Sequence, residues 1–354
     1  MRARGYVWRK RGKAGDHRSH GPDHSRSVYH AIESGMTEMS PTLEKTLKAG
    51  TAGPCRHRRG MRDLSVVIKG AGEMASGIAH RLFMANITRI CMIEIERPLC
   101  VRRTVSFCEA VYNGETEVEG VVGRLVCDRA DLGLAWERGQ IGVIVDPAWK
   151  IVADIMPDVI VDAIMAKKNL GTYRDEAPLV IGVGPGFSAP HVVHAVVESN
   201  RGANLGRAIY NGAAEAHTGI PALTAGFSRE RVLRSPHSGL VRHVKSIGDP
   251  VTRGDTILYV DDTPVTAAID GVVRGLIRDI RVWEDEKVGD IEPRGDASYC
   301  LTISDKARAI GGGVLEAIMH YVNRPADSSQ ARDEREAGRG HPDVLSARNS
   351  GDLA

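Results

Sequence analysis

The strongest chemical signal in the chain is Lys69-Gly70-Ala71-Gly72-Glu73-Met74-Ala75-Ser76-Gly77, a glycine turn of the G-x-G-x-x-A type. Gly70 permits a tight turn, and Gly72 lets the backbone approach a pyrophosphate. Ala75 fills the third position, with Gly77 two residues further on. A helix opening here would offer free N–H groups and a partial positive charge to a phosphate. Glu94, 22 residues beyond Gly72, or Glu96 would accept from a ribose hydroxyl.

Further candidates lie downstream. Lys167-Lys168-Asn169 follows an apolar run and would balance phosphate as point charges; a solvated loop explains the same spacing. Arg201 and Arg207 carry guanidinium forks that match phosphate or carboxylate, with ordinary salt bridges as the alternative. His191 and His194 sit in a strand-like alternation that sends them to opposite faces, so no shared metal is expected. Cys300, in an apolar run read as a strand, is either a sulfur handler and nucleophile or inert packing. Gly311-Gly312-Gly313 reads as the opening of the helix VLEAIMHYV and as another anion site.

These residues need a scaffold of alternating strands and helices. Leu64 to Ile68 is a short, β-branched apolar run of the buried parallel type, and an amphipathic helix through Ile78, Leu82 and Phe83 follows the turn. Ile90 to Ile95 is a second strand. Helices are expected over 128–138 and 148–155, and strands over Ile141 to Val145, Val159 to Ile164 and Leu179 to Val183. The expectation is an α/β, Rossmann-like parallel sheet domain over 62–230. Residues 231–300 form a β-rich module with an internal repeat, in which 238–260 and 270–291 align Gly239 with Gly271 and Val251 with Val282. Two such halves folding on each other give a barrel-sandwich-hybrid-like module. Its joint, Asp261-Asp262-Thr263-Pro264, has no lysine to carry a swinging arm. Residues 301–324 close the fold with a helix.

Composition narrows the function. The 354 residues hold 47 Lys plus Arg against 45 Asp plus Glu, with 5% aromatic content, which excludes a polybasic or base-stacking nucleic-acid surface as the main theme. Six cysteines without a CxxC read as reduced thiols in the cytoplasm. Asp146, Asp154, Asp158 and Asp162 interrupt the most apolar stretch, so no membrane helix is expected. Residues 1–60 carry 13 Lys/Arg against 5 Asp/Glu and no apolar periodicity. We read 1–61 as a disordered basic extension: a basic arm, a transit peptide, or a segment preceding a natural start at Met61. Residues 325–354 read as a disordered polar tail.

Several stretches together resemble the YqeB-type family of accessory proteins of selenium-dependent molybdenum hydroxylases. They are KGAGEMASGIAHRLF (69–83), EIERPLCVRRTVSFCEAVY (94–112), VDAIMAKKNLGT (161–172), IGVGPGF (181–187), ESNRGANLGRAIYNGAAEAHTGIP (198–221), GVVRGLIRD (271–279), KVGDIEPR (287–294) and TISDKARAIGGGVLEAI (302–318). The resemblance implies a maturation role for a molybdenum hydroxylase client and a Rossmann-like part similar to xanthine dehydrogenase accessory proteins. It attaches no reaction. The chain departs from the family at Ala203, where a histidine is usual, at Pro190 and His191, and at Ile280 and Asp285 in place of glycines. The expected ligand is a nucleotide or a dinucleotide, either NAD(P) or molybdopterin dinucleotide. An NAD(P)-dependent oxidoreductase and a non-catalytic scaffold are the competing functions. The oxidoreductase lacks a visible acid–base pair at a convincing spacing.

Overall fold

The computed structural model describes residues 61–219, 221 and 223–324; the expected basic extension before Met61 and the tail from Pro325 lie outside the described residues. The first part is a mixed α/β layer. Its strands are β1 (Ser65–Lys69), β2 (Arg89–Glu94), β3 (Glu115–Val118), β4 (Val121–Val126), β5 (Ile141–Val145), β6 (Val159–Asp162), β7 (Leu179–Val183), β8 (Ser188–Ala189), β9 (Ala195–Val197), β10 (Ala208–Ile209) and β11 (Gly212–Ala213). Nine of them form one sheet in the order β10-β9-β7-β6-β1-β2-β5-β4-β3. The pairs from β9 through β4 are parallel, and only the outermost pairs, β10 with β9 and β3 with β4, are antiparallel.

All five residues of β1 are buried, because the sheet is covered on both faces. Val66 and Ile68 enter one core and Val67 the other, as a period of two requires. The first core is closed by α1 (Glu73–Met84), which buries Ile78, Ala79 and Leu82. The short α2 (Ala110–Asn113) lies on the same side. α3 (Arg129–Glu137) covers the opposite face, its N-cap Asp128 accepting from the Asp131 amide at 2.9 Å. α4 (Ile151–Ile155) is a single short turn on that face, shorter than the helix expected over 148–155.

The second part is all β: β12 (Val232–Arg234), β13 (Gly239–His243), β14 (Pro250–Val251), β15 (Thr256–Val260), β16 (Thr263–Thr266), β17 (Gly271–Leu276), β18 (Arg281–Val282) and β19 (Lys287–Glu292). They make two four-stranded antiparallel sheets, β12-β19-β17-β14 and β16-β15-β13-β18. The internal repeat explains this order. β13 pairs with β15 in the first copy as β17 pairs with β19 in the second, and each copy lends its short strand to the other. The register is reciprocal: Gly239 faces Val282, and Gly271 faces Val251. Ile257, Leu258, Val260, Val273, Leu276, Val288 and Ile291 fill the space between.

The chain then returns to the α/β part through α5 (Asp305–Val322), capped by the Ser304 hydroxyl on the Ala307 amide. Gly311-Gly312-Gly313 lies inside this helix and does not open it, which corrects the sequence expectation. Interior glycines cost about 1 kcal/mol each relative to alanine, but here two of them are required by close packing. A Cβ on Gly311 would stand 2.9 Å from the Gly77 carbonyl oxygen, and one on Gly313 would collide with the Gly206 carbonyl. Cys300 is likewise not in a strand: it ends a 3-10 turn, Ala297–Cys300.

The β module is fastened to the α/β part by polar contacts. Arg278 grips Glu109 with Nη2 2.5 Å from Oε2, and Arg103 Nε donates to the Leu276 carbonyl at 2.7 Å. Gly275 allows the backbone at Val101 to approach, since a Cβ there would lie 2.6 Å from its carbonyl oxygen.

Candidate functional site

From β1 the chain passes through α1 to β2 on one side, whereas β6 lies on the other side of β1 and leads on to β7. The C-terminal ends of β1 and β6 therefore flank the point where strand order reverses, the usual crevice of an open parallel sheet. Gly70 occupies it at φ +96°, a left-handed conformation that disfavours a side chain. The Ala163 carbonyl would lie 3.2 Å from a Cβ added there. Gly72 is the N-cap of α1 with extended backbone, and the space where its Cβ would point is open.

Glu94 ties this turn together. Its Oε2 accepts from the Ala71 amide at 2.9 Å and its Oε1 from the Ile95 amide at 2.9 Å. Burial pushes its pKa up, and the two amide hydrogen bonds oppose that rise. Beside it, Lys69 is fully buried, with Nζ 2.6 Å from Glu176 Oε2, 2.8 Å from Thr172 Oγ1 and 3.7 Å from the centre of the Trp149 ring. Burial lowers the Lys69 pKa, while Glu176 raises it. This pair pins the loop after β6 to the end of β1.

The turn opens into a cleft of about 610 Å³ between the α/β part and the β module. That volume suits a cofactor-sized ligand. Arg102, Arg201, Arg231, Arg274, Lys167 and Lys306 line it, and cations outnumber carboxylates along its wall. Arg102 and Arg231 are 3% and 9% exposed. The Nε–H groups of Arg102, Arg231 and Arg274 are buried and have no acceptor among the described residues. Three orphaned donors in arginines that line one cavity depart from the rule that buried polar groups are paired.

The other guanidinium nitrogens hold the frame. Arg102 Nη2 donates to the Tyr299 and Thr302 carbonyls, both at 3.0 Å, and Arg231 Nη1 lies 2.7 Å from Asp290 Oδ1. Burial alone would raise Asp290, but Lys287, Arg231 and Arg274 hold it below the usual carboxylate range. Arg274 is held only loosely, at 3.9 to 4.0 Å from Glu73, Asp290 and Glu292. Lys306 stands in the first turn of α5, the end of a helix where a cation is unfavourable, and burial followed by the Arg201 charge depresses its pKa. Trp149, Met165 and Lys167, all on the cleft, have φ of +58°, +63° and +63° without being glycine. Such conformations gather at functional sites.

Of the residues singled out from the sequence, Gly70, Gly72, Glu94, Lys167 and Arg201 line this cleft together. Arg201 is already engaged bidentately with Asp305, Nη2 standing 2.6 Å from Oδ1. Ala75 and Gly77 are buried within α1, Glu96 and Arg207 are exposed away from the cleft, and Cys300 is buried against the Val273 carbonyl. Burial raises the Cys300 thiol pKa. His194 is tied to β7, its Nδ1 accepting from the Val180 amide at 3.0 Å. Arg102, Arg231, Arg274 and Lys306 were not singled out, because they come from four separated segments. A lysine at the start of a helix was the one local cue.

Fold and cleft define a mixed α/β protein with a cationic cavity at the crossing point of its parallel sheet. No family model matches the chain. It is 47% identical over 260 residues to the uncharacterized protein YqeB of Escherichia coli (strain K12), a match covering 73% of this chain and 48% of that protein. The match supports the YqeB-type family, and the chain spans about half the length of this relative. Among solved structures, TcdA (CsdL) is similar with a TM-score of 0.28 and 13% identity, covering 77% of this chain and 89% of that one. The product-bound ectoine utilization protein EutE (DoeB) from Ruegeria pomeroyi gives 0.21 and 11%, covering 64% and 85%. Likenesses at these scores fix neither fold nor function.

No helix among the described residues is long and apolar enough to cross a membrane.

Proposed function

We propose that the protein is a cytoplasmic accessory factor for maturation of a selenium-dependent molybdenum hydroxylase, and that its cleft binds a nucleotide or a molybdopterin-dinucleotide-type cofactor. The observation that carries the binding half is that three arginines with buried Nε–H groups lacking acceptors line the same cleft as a glycine turn with open space at Gly72. Orphaned cationic donors cost free energy unless an anion meets them. The donor set fits phosphate oxygens: Gly70 and Gly72 would admit one phosphate to the start of α1, and Arg102, Arg231 and Arg274 would hold a second anionic group across the cleft. Parallel strand order and the glycine turn support a Rossmann-like reading of the first part. The exchanged short strands of the two repeats support a barrel-sandwich-hybrid-like reading of the second, which would present a surface to the client.

Native and then denaturing mass spectrometry of the purified full chain tests the binding half. A released pterin dinucleotide, absent from Arg274→Met, is the expected result. Release of NAD(P) would favour the oxidoreductase instead. An empty protein that also ignores added ADP, NADH and pterin dinucleotide would leave only the scaffold. The maturation half is tested by metal-centre content of the client with and without this protein, which must fall without it.

A further inference from the structure

The lysines around the cleft differ in what holds them. Lys69 is pinned by Glu176, with Nζ 2.6 Å from Oε2, and Lys287 by Asp290, with Nζ 3.0 Å from Oδ2. Lys306 lines the same cavity, yet its side chain makes no hydrogen bond or ion pair among the described residues. Its neighbour in the chain, Asp305, is taken by Arg201, whose Nη2 lies 2.6 Å from Oδ1. Lys306 is also the second residue of α5, where the free N–H groups of a helix start repel a cation. Each of these placements favours the neutral amine over the ammonium. Burial acts the same way and most strongly; Arg201 and Lys287 add to it, and Glu73 and Glu198 oppose it, which leaves the pKa below that of an ordinary lysine.

The arginines of the wall cannot take this part, because a guanidinium keeps its proton. A lysine desolvated beside another cation has a free lone pair and becomes a nucleophile. We propose that Lys306 captures a small phosphorylated aldehyde or ketone as an imine, while the cleft arginines hold the phosphate. The nitrogen lone pair attacks the carbonyl carbon, and the oxygen, now an alkoxide, takes one amine proton. The resulting hydroxyl leaves as water with the second amine proton as the C=N bond forms. Amine and carbonyl give imine and one water, with no change of oxidation state, and hydrolysis returns both. This capture goes beyond nucleotide binding and shares with it only the cationic wall.

The test uses the full chain, pyridoxal phosphate as the probe and cyanoborohydride to fix the imine, read by peptide mapping. Pyridoxal, which lacks the phosphate, is the control, and each rate is divided by that of the same aldehyde with free Nα-acetyllysine. Pyridoxal phosphate is expected to modify Lys306 about tenfold faster than pyridoxal at low salt, and Arg274→Met is expected to shrink that preference. The rate at Lys306 should reach its plateau at a lower pH than the rate with Nα-acetyllysine. Lys306→Arg and Lys306→Gln should both lose this adduct while adducts on exposed lysines such as Lys150 persist. Adducts confined to exposed lysines, pyridoxal reacting at Lys306 as fast as its phosphate, or a Lys306 rate that follows the pH profile of Nα-acetyllysine would each overturn the proposal. Cofactor release is scored separately, so each reading fails without taking the other with it.

Discussion

Gly77 of α1 and Ala307 of α5 touch so closely that a Cβ on Gly77 would stand 2.6 Å from the Ala307 Cβ. The glycine is there for helix contact and lies behind the turn that faces the cleft. Gly77→Ala is therefore expected to cost roughly 1–3 kcal/mol by overpacking, measured by urea denaturation. Ligand affinity of the folded protein is expected to stay the same. An affinity loss at unchanged stability would return Gly77 to the phosphate turn.

Gly70 and Gly72 are expected to separate. Gly70→Ala must hold a side chain at φ +96° beside the Ala163 carbonyl, which costs about 1–3 kcal/mol. Gly72→Ala has open space and extended backbone, but alanine is a poorer N-cap than glycine, so stability should fall by about 1 kcal/mol at most. Its methyl group would point where a phosphate approaches, and nucleotide affinity is expected to fall about tenfold, or 1.4 kcal/mol. Equal affinities for Gly72→Ala and wild type, by calorimetry, would remove the turn from the binding site.

Arg274 is held at 3.9 to 4.0 Å from its carboxylates and has an orphaned Nε. Replacing it with methionine removes a buried donor that has no acceptor, so thermal stability should hold or rise. Affinity for ADP should drop on the order of tenfold or more, the scale of a lost charge-assisted hydrogen bond of about 1.5–3 kcal/mol. A variant that is both less stable and equally good at binding would mark Arg274 as a structural residue.

The Arg201 hydrogen bonds, against the opposing effect of burial, hold Asp305 down to about 2. Its folded pKa lies below the ordinary value of about 3.9. Its contribution to stability is thus complete above that value and is lost as pH falls through about 2. The Asp305 side chain is 71% exposed, so solvent screens the pair and its share of stability is small. A carboxyl NMR titration is expected to give the low midpoint in wild type and a return toward the ordinary range in Arg201→Ala.

Much of the scaffold was legible because its signals are local. Leu179–Val183 and Ile141–Val145 are strands with the expected bounds, since continuous apolar runs bounded by turns suit a sheet covered on both sides. The Gly239/Gly271 repeat reappears as reciprocal pairing with Val282 and Val251. Gly311-Gly312-Gly313 misled because glycine reads locally as a helix boundary, whereas its purpose is set by Gly77 and Gly206 far away in sequence. The arginines of the cleft were hidden for a related reason. Arg102, Arg231 and Arg274 have no common spacing, and only the fold brings these residues to one cleft.

The position of α5 sets an order for synthesis. Ile310, Val314, Ala317 and Ile318 belong to the same core as β1 and α1, yet they follow the whole β module in the chain. A ribosome that has released the sheet and the module has still not delivered the helix that seals α1. Until it does, the apolar flank of α1 stays wet, and Ser304 and Lys306 have not reached the cleft wall. The nascent protein consequently completes its cleft in the same late step that completes its core.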